Sequence, residues 1–326
     1  MSTQIGIPRR LLLVGASAAF VLTWSSGFII AKVGTDTAPV LTVLVWRYLV
    51  VAAILAVGML AIRLRARAIW PAWRDIRPHL TIGLFAQVGY VLPIYLAVAA
   101  GVSAGTTALI DAVQPLLVAT LVGPLLGLRV RALQWLGLVL GAIGVVLIVA
   151  ADASATTSGS PTPAYLLPLV SLASLVTATF LERRTTARLG IFATLTTHAA
   201  VALVAVTVMA ALSGALVPPA TSGFWLSTVL IAVFPTLIAY ALYWYLLRRL
   251  GITALNALLY LVAPTTAVAG TLLFGDPFTP ATLVGLVLGA GAIAPARRRP
   301  ERIGGESRDT PSSVRETTAR REKLRL

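Results

Sequence analysis

Residues 189–247 read LGIFATLTTHAAVALVAVTVMAALSGALVPPATSGFWLSTVLIAVFPTLIAYALYWYLL, 59 residues without an Asp, Glu, Lys or Arg. A helix needs about 20 predominantly apolar residues to cross the ~30 Å hydrocarbon core of a bilayer. This run is long enough for two crossings, and Ser-Gly-Ala-Leu-Val-Pro-Pro at 213–219 supplies the turn between them. The same pattern extends outward. Residues 11–31, 80–110, 153–181 and 250–275 are also free of formal charge. Over all 326 residues 58% are apolar and 11% charged, less than half of the roughly 25% charged residues of soluble domains. These figures exclude a soluble enzyme, a disordered chain and a fibrous repeat. They indicate an all-α polytopic membrane protein.

Gly, Pro and small polar residues divide the apolar runs into ten expected spans, near 11–32, 38–62, 79–99, 103–124, 132–151, 164–181, 190–212, 223–247, 252–274 and 279–296. Further breaks fall at 34–39, 100–105 and 275–280. Met1–Arg10 is basic, and the run from Leu11 to Ala31 exceeds the roughly 7–15 residues of a secretory h-region. It reads as an uncleaved first helix. With the N-terminus inside, the inside segments hold 24 Lys and Arg and the outside loops hold one, Lys32. Cytoplasmic loops carry an excess of basic residues, so the split predicts ten helices with both termini cytoplasmic. The net charge of +15 is spread between apolar runs and the tail and not gathered on one face, which argues against nucleic acid; the tail reads either as lying on the anionic inner leaflet or as simply solvated. There is no cysteine, which removes disulfides and thiolate chemistry.

Residues 152–163 form a polar extracytoplasmic linker at the midpoint of the spans, and 297–326 a basic tail too polar to build a core. The halves on either side of the linker, 1–151 and 164–296, resemble each other. Gly137-Leu-Val-Leu-Gly-Ala142 recurs as Gly285-Leu-Val-Leu-Gly-Ala290, 148 residues on. Pro115 in span 4 matches Pro264 in span 9, and Ile82-Gly-Leu-Phe85 matches Ile231-Ala-Val-Phe234. Each half has an odd number of spans, so the second enters the membrane in the opposite sense. The expected fold is ten transmembrane helices as two inverted five-helix repeats, an arrangement of secondary transporters with the substrate site near the midplane.

Several motifs together carry a family resemblance. They are Trp24-Ser-Ser-Gly-Phe28 with Lys32, Pro39 followed by Arg47-Tyr48, proline in the fourth helix of each half, glycine-rich fifth helices, and the Gly275-Asp276-Pro277 turn. The ordered set over residues 11–296 resembles the EamA branch of the drug/metabolite transporter superfamily. One departure is Gly127-Leu128-Arg129, where that family often has an acid in the middle position. The resemblance implies an inner-membrane carrier, often an exporter of amino acids or related metabolites.

Only two charged side chains are expected deep in the spans, Arg47 in span 2 and Asp111 in span 4, both roughly 12–14 Å from the outer ends at 1.5 Å per residue. Intramembrane charges are functional candidates. Two readings stand side by side. In one the residues pair and neutralise each other. In the other Asp111 binds a proton or an amine and Arg47 a carboxylate or backbone. Thr107, Asp111, Gln114 and Pro115 fall at i, i+4, i+7 and i+8 and so share a face of span 4. Asn256, Tyr260 and Pro264 repeat that face in span 9. Gln87 and Tyr90 in span 3, Thr236, Tyr240 and Tyr243 in span 8, and Trp24 in span 1 are further cavity candidates. Pro115 and Pro264 are expected to kink their helices. Gly137, Gly141, Gly285 and Gly289 form small-xxx-small stripes for helix packing. Trp70 and Trp73 read as interface anchors in the basic loop. His198 reads as a packing residue or a proton relay, and His79 as a boundary residue. No phosphate loop, metal-ligand spacing or Ser-His-Asp pattern is present, so no cofactor, no metal and no enzymatic activity is expected. The expected partners are the lipid bilayer, a small-molecule substrate and protons. Two alternatives remain at this stage: an uptake or facilitative carrier for a nucleoside, sugar or amine, and a non-transporting membrane receptor or assembly factor.

Overall fold

The computed structural model describes residues 7–65, 71–114, 161–186, 189–250 and 252–276, together with isolated positions between 117 and 152 and between 280 and 287. The described chain is helical. Helix α1 spans Ile7–Thr37 and α2 Val40–Arg65. Span 3 is α3 (Trp73–Gly83), a π-helical turn (Leu84–Gly89) and α4 (Tyr90–Ala99). Span 4 begins as α5 (Ala104–Asp111). After a 3-10 turn at Thr162–Tyr165 follow α6 (Leu166–Arg184) and α7 (Ile191–Leu212). Span 8 is α8 (Ser222–Ile231), a second π-helical segment (Ala232–Ile238) and α9 (Ala239–Leu250), and span 9 is α10 (Ile252–Phe274). Six helical stretches are long and apolar enough to cross a bilayer, and Leu258–Phe274 is a shorter apolar one. Within hydrocarbon each backbone N–H and C=O must find its partner inside the protein, which selects helices for such segments.

Local chemistry sets the ends. Ser103 accepts from the Thr106 N–H and caps α5, and Thr221 does the same for α8 through Phe224. Three of the sequence breaks end in a left-handed glycine, Gly101 (φ 96°), Gly214 (φ 71°) and Gly275 (φ 69°). At the first two, the next residue's N–H bonds the carbonyl five residues back, from Val102 to Ala97 and from Ala215 to Ala210. This arrangement satisfies orphaned carbonyls at a helix end.

Some boundaries differ from the sequence expectation. The Gly34–Thr37 stretch continues α1 and does not break it, because its threonines bond back onto helical carbonyls. The basic loop expected at 63–78 is shortened from both sides, and Trp73 is the first residue of α3 and not a loop anchor. Trp70, Pro115, the four packing glycines Gly137, Gly141, Gly285 and Gly289, and the tail lie outside the described residues. Asp152, assigned to the polar linker, is buried and accepts from the Ser103 N–H at 3.4 Å and the Tyr165 hydroxyl at 3.0 Å.

The packing pairs one half with the other. Helix α2 lies along α7, and α5 along α10. Helix α1 packs on spans 8 and 9, while α6 packs on spans 3 and 4. If span 6 is the counterpart of span 1, these contacts exchange under interchange of the halves. The two π-helical segments obey the same correspondence. Each lies in the third span of its half, over the matching stretches that begin at Ile82 and Ile231. A π turn inside an α-helix inserts an extra residue and is found mostly at functional sites.

Candidate functional site

Arg47 is buried, at 5% exposure, in the first third of α2. Its Nε donates to Thr236 Oγ1 at 3.1 Å and its Nη1 to Tyr95 Oη at 3.0 Å. The guanidinium also lies over the Tyr48 and Tyr95 rings, with its carbon 5.3 and 5.6 Å from their centroids. Thr236 is on the second π-helical segment, where its hydroxyl donates five residues back to the Ile231 carbonyl. The π turn therefore offers the hydroxyl to Arg47 with its own proton already used.

A second strand of the network runs through the first π-helical segment. The Tyr48 hydroxyl donates to Gln87 Oε1 at 3.2 Å, and Gln87 Nε2 donates to Tyr240 Oη at 2.9 Å. One residue beyond that segment, the Tyr90 hydroxyl donates to Asp111 Oδ2 at 3.0 Å. Asp111 Oδ1 is buried without a hydrogen-bond partner among the described residues. Trp24 closes the wall, its ring centroid 5.5 Å from that of Tyr240. Trp24, Arg47, Tyr90, Tyr95, Pro235 and Tyr240 surround a cavity of about 50 Å³. That is room for a few waters and far below the roughly 300–1,000 Å³ of small-molecule pockets.

Arg47 and Asp111 do not form an ion pair: none within 4.0 Å links them, and Arg47 reaches no carboxylate among the described residues. Two hydroxyls and two ring faces take the place of a counter-ion. A buried charge without an opposite partner is costly, and cation–π contacts and charged hydrogen bonds offset part of that cost.

The structure gathers Trp24, Arg47, Gln87, Tyr90, Asp111, Thr236 and Tyr240 into one region and treats the other candidates differently. The shared face of span 4 does not hold as drawn, because α5 ends at Asp111 and a turn follows at Ala112–Val113. The residue four positions on is Pro115, which has no N–H to give the Asp111 carbonyl. Past the turn, Gln114 reaches α6, donating to Thr179 Oγ1 at 3.4 Å. Thr107 is fully buried and donates to the Ser103 carbonyl of its own helix. In α10, which runs through Pro264, Tyr260 makes no hydrogen bond among the described residues, and the Asn256 side chain lies outside them. Tyr95 was not singled out from the sequence. Its signal was available as a second tyrosine in the span of Gln87 and Tyr90, on a helix that passes a buried arginine.

The EamA-like transporter family model matches residues 11–150 and again 162–295, one match on each half. The uncharacterized inner membrane transporter YedA of Escherichia coli, in strains K12 and O157:H7, is 27% identical over 270 residues, covering 82% of this chain and 85% of the relative. A solved structure titled "Crystal structure of protein" shares the fold, with a TM-score of 0.57 and 22% identity over 90% of this chain and 100% of that one. The chain belongs to the EamA-like transporter family.

Proposed function

We propose that this member of the EamA-like transporter family is a secondary active carrier of the inner membrane that exports amino acids or similar small metabolites in exchange for protons. The observation that carries the reading is a buried arginine without a carboxylate partner among the described residues, lining one cavity with Tyr90, whose hydroxyl holds a carboxylate with one unpartnered oxygen, at the junction of the two halves. In this reading Arg47 receives the carboxylate of a zwitterion. Asp111 receives its amine or, in the return step, a proton. Trp24, Tyr90 and Tyr240 form the apolar walls. The cavity is too small for such a molecule, so loading requires the surrounding helices to separate, as alternating access demands.

The architecture in this reading is ten helices as two inverted five-helix repeats, with both termini cytoplasmic. The exchange of helix contacts between the halves and the 24-to-1 split of basic residues support it. The naming of YedA as an inner membrane transporter supports the location. The chain has no native cysteine, so single cysteines report topology directly. A cysteine at Ser158 is expected to react with an impermeant reagent added outside, and one at Arg67 is not. The reverse pattern overturns the orientation.

The function is tested in proteoliposomes loaded with labelled amino acids, nucleosides or amines, with and without a pH gradient. Gradient-driven efflux of an amino acid is expected. Flux of a nucleoside, sugar or amine without coupling replaces the reading with a facilitative carrier. No flux from a folded protein over the whole panel overturns transport of these classes.

A further inference from the structure

The chain has two histidines, 119 residues apart, and the fold brings them together. His79 on α3 and His198 on α7 have ring centroids 5.8 Å apart and an interplanar angle of 33°. His79 is 1% exposed and His198 7%. Glu182, near the end of α6, places Oε2 3.6 Å from His79 Nδ1. The contact is close because Gly83 has no side chain: a Cβ there would lie 3.0 Å from His198 Cα. Helix α3 belongs to the first half of the chain, and α6 and α7 belong to the second.

Such a cluster has few occupants to choose from. Among the described residues no group of three His, Cys, Asp or Glu side chains can hold a metal ion. His198 Nε2 is buried and makes no hydrogen bond among the described residues. Glu182 is about one-third exposed, which gives the cluster a route to water. The other charged groups on the packed helices are Arg74, Asp75 and Arg77 on α3, Arg183 and Arg184 on α6, Arg47, Arg63 and Arg65 on α2, and Asp111 on α5. Arg74 and Asp75 pair with each other at 3.9 Å, and Arg77 and Arg184 are exposed. Among the described residues Glu182 is the carboxylate in contact with a buried ring.

We propose that His79, Glu182 and His198 form a proton-binding site, separate from Asp111, at the junction of the two halves. The ligand is a single proton, taken up on the His79 ring whose Nδ1 faces Glu182. A protonated His79 Nδ1 would face Glu182 Oε2 directly, and two charged rings at this separation would repel each other. Binding turns the His79–Glu182 contact into an ion pair between α3 and α6, one helix from each half. Loss of the proton leaves a buried neutral pair beside a carboxylate. The site thereby makes the contact between α3 and α6 depend on the pH of the water that Glu182 meets. This goes beyond the proposed transport activity and does not require it.

The test uses the full chain, purified through a histidine-free affinity tag and labelled only at histidine. Its NMR spectrum then holds two imidazoles, titrated between about pH 5 and 8, the range where histidine ordinarily changes charge. One ring is expected to take up a proton in that range, and Glu182→Gln is expected to move the midpoint by about one pH unit or more. Two rings that stay neutral throughout, or a titration unchanged in Glu182→Gln, overturn the proposal and leave the cluster as packing. The wild-type titration decides this even if a variant fails to fold, and no substrate is needed.

Discussion

The Tyr90 hydroxyl donates to Asp111 Oδ2 at 3.0 Å while Oδ1 of the same carboxylate is buried and accepts nothing among the described residues. The acid is the last residue of α5, where the chain turns four positions before a proline. One oxygen is anchored to the first half's third span and the other is left for a proton or a ligand. Buried polar atoms are nearly always partnered, and an exception calls for a physical reason.

Asp111→Asn is expected to fold. With no Arg47 partner to strand, its melting temperature in detergent should stay within a few degrees of the parent. Gradient-driven flux should be lost and substrate exchange retained. A large fall in stability that Arg47→Gln restores would instead reveal an ion pair in the working protein.

Thr236→Val removes the acceptor of Arg47 Nε. A buried charged donor then lacks a partner, at a cost of about 1–3 kcal/mol. Thr236→Ser keeps the oxygen and should recover most of the loss. Thermal denaturation of the three proteins checks the order, and equal stability of the valine and parent forms would refute it.

Lys32 Nζ lies 2.6 Å from Asp276 Oδ1 and 4.5 Å from the Phe274 ring centroid, tying the end of α1 to the turn after α10. The side chains are 27% and 11% exposed, so water screens the pair only in part. A double-mutant cycle with Lys32→Met and Asp276→Asn should return a coupling of about 1 kcal/mol. Additive effects of the two changes would show that the contact contributes nothing.

Gly105 lets α5 rest on α10: an added Cβ would meet the Ala267 Cα at 3.1 Å. The neighbour is backbone and cannot rotate away. Gly105→Val should therefore lower stability by about 1–3 kcal/mol. Gly190→Ala, at a position with nothing within 4 Å, should change it by less than about 0.5 kcal/mol. Comparable melting temperatures for both variants would remove the close approach from the list of packing constraints.

The sequence by itself determined the helical membrane character, three of the turns and the likeness of the two halves. Charge-free length is a local property, and a helix closes its hydrogen bonds within its own segment. Span 9, read as 252–274, is α10 at the same limits, and the glycines in three of the breaks adopt left-handed turns. Even the two π-helical segments fall on stretches whose matching sequences were visible. Tertiary structure alone decided the partners. Arg47 and Asp111 at equal depth suggested a pair, yet the guanidinium faces Tyr95 and Thr236 and the carboxylate faces Tyr90. Depth fixes a coordinate along the membrane normal and leaves the direction around each helix open. The same freedom hid the meeting of His79 and His198, and of Lys32 and Asp276. The break after Asp111 lay between these cases: Pro115 announced a perturbed helix, but only packing determined that the helix would end at the acid and turn Gln114 toward α6.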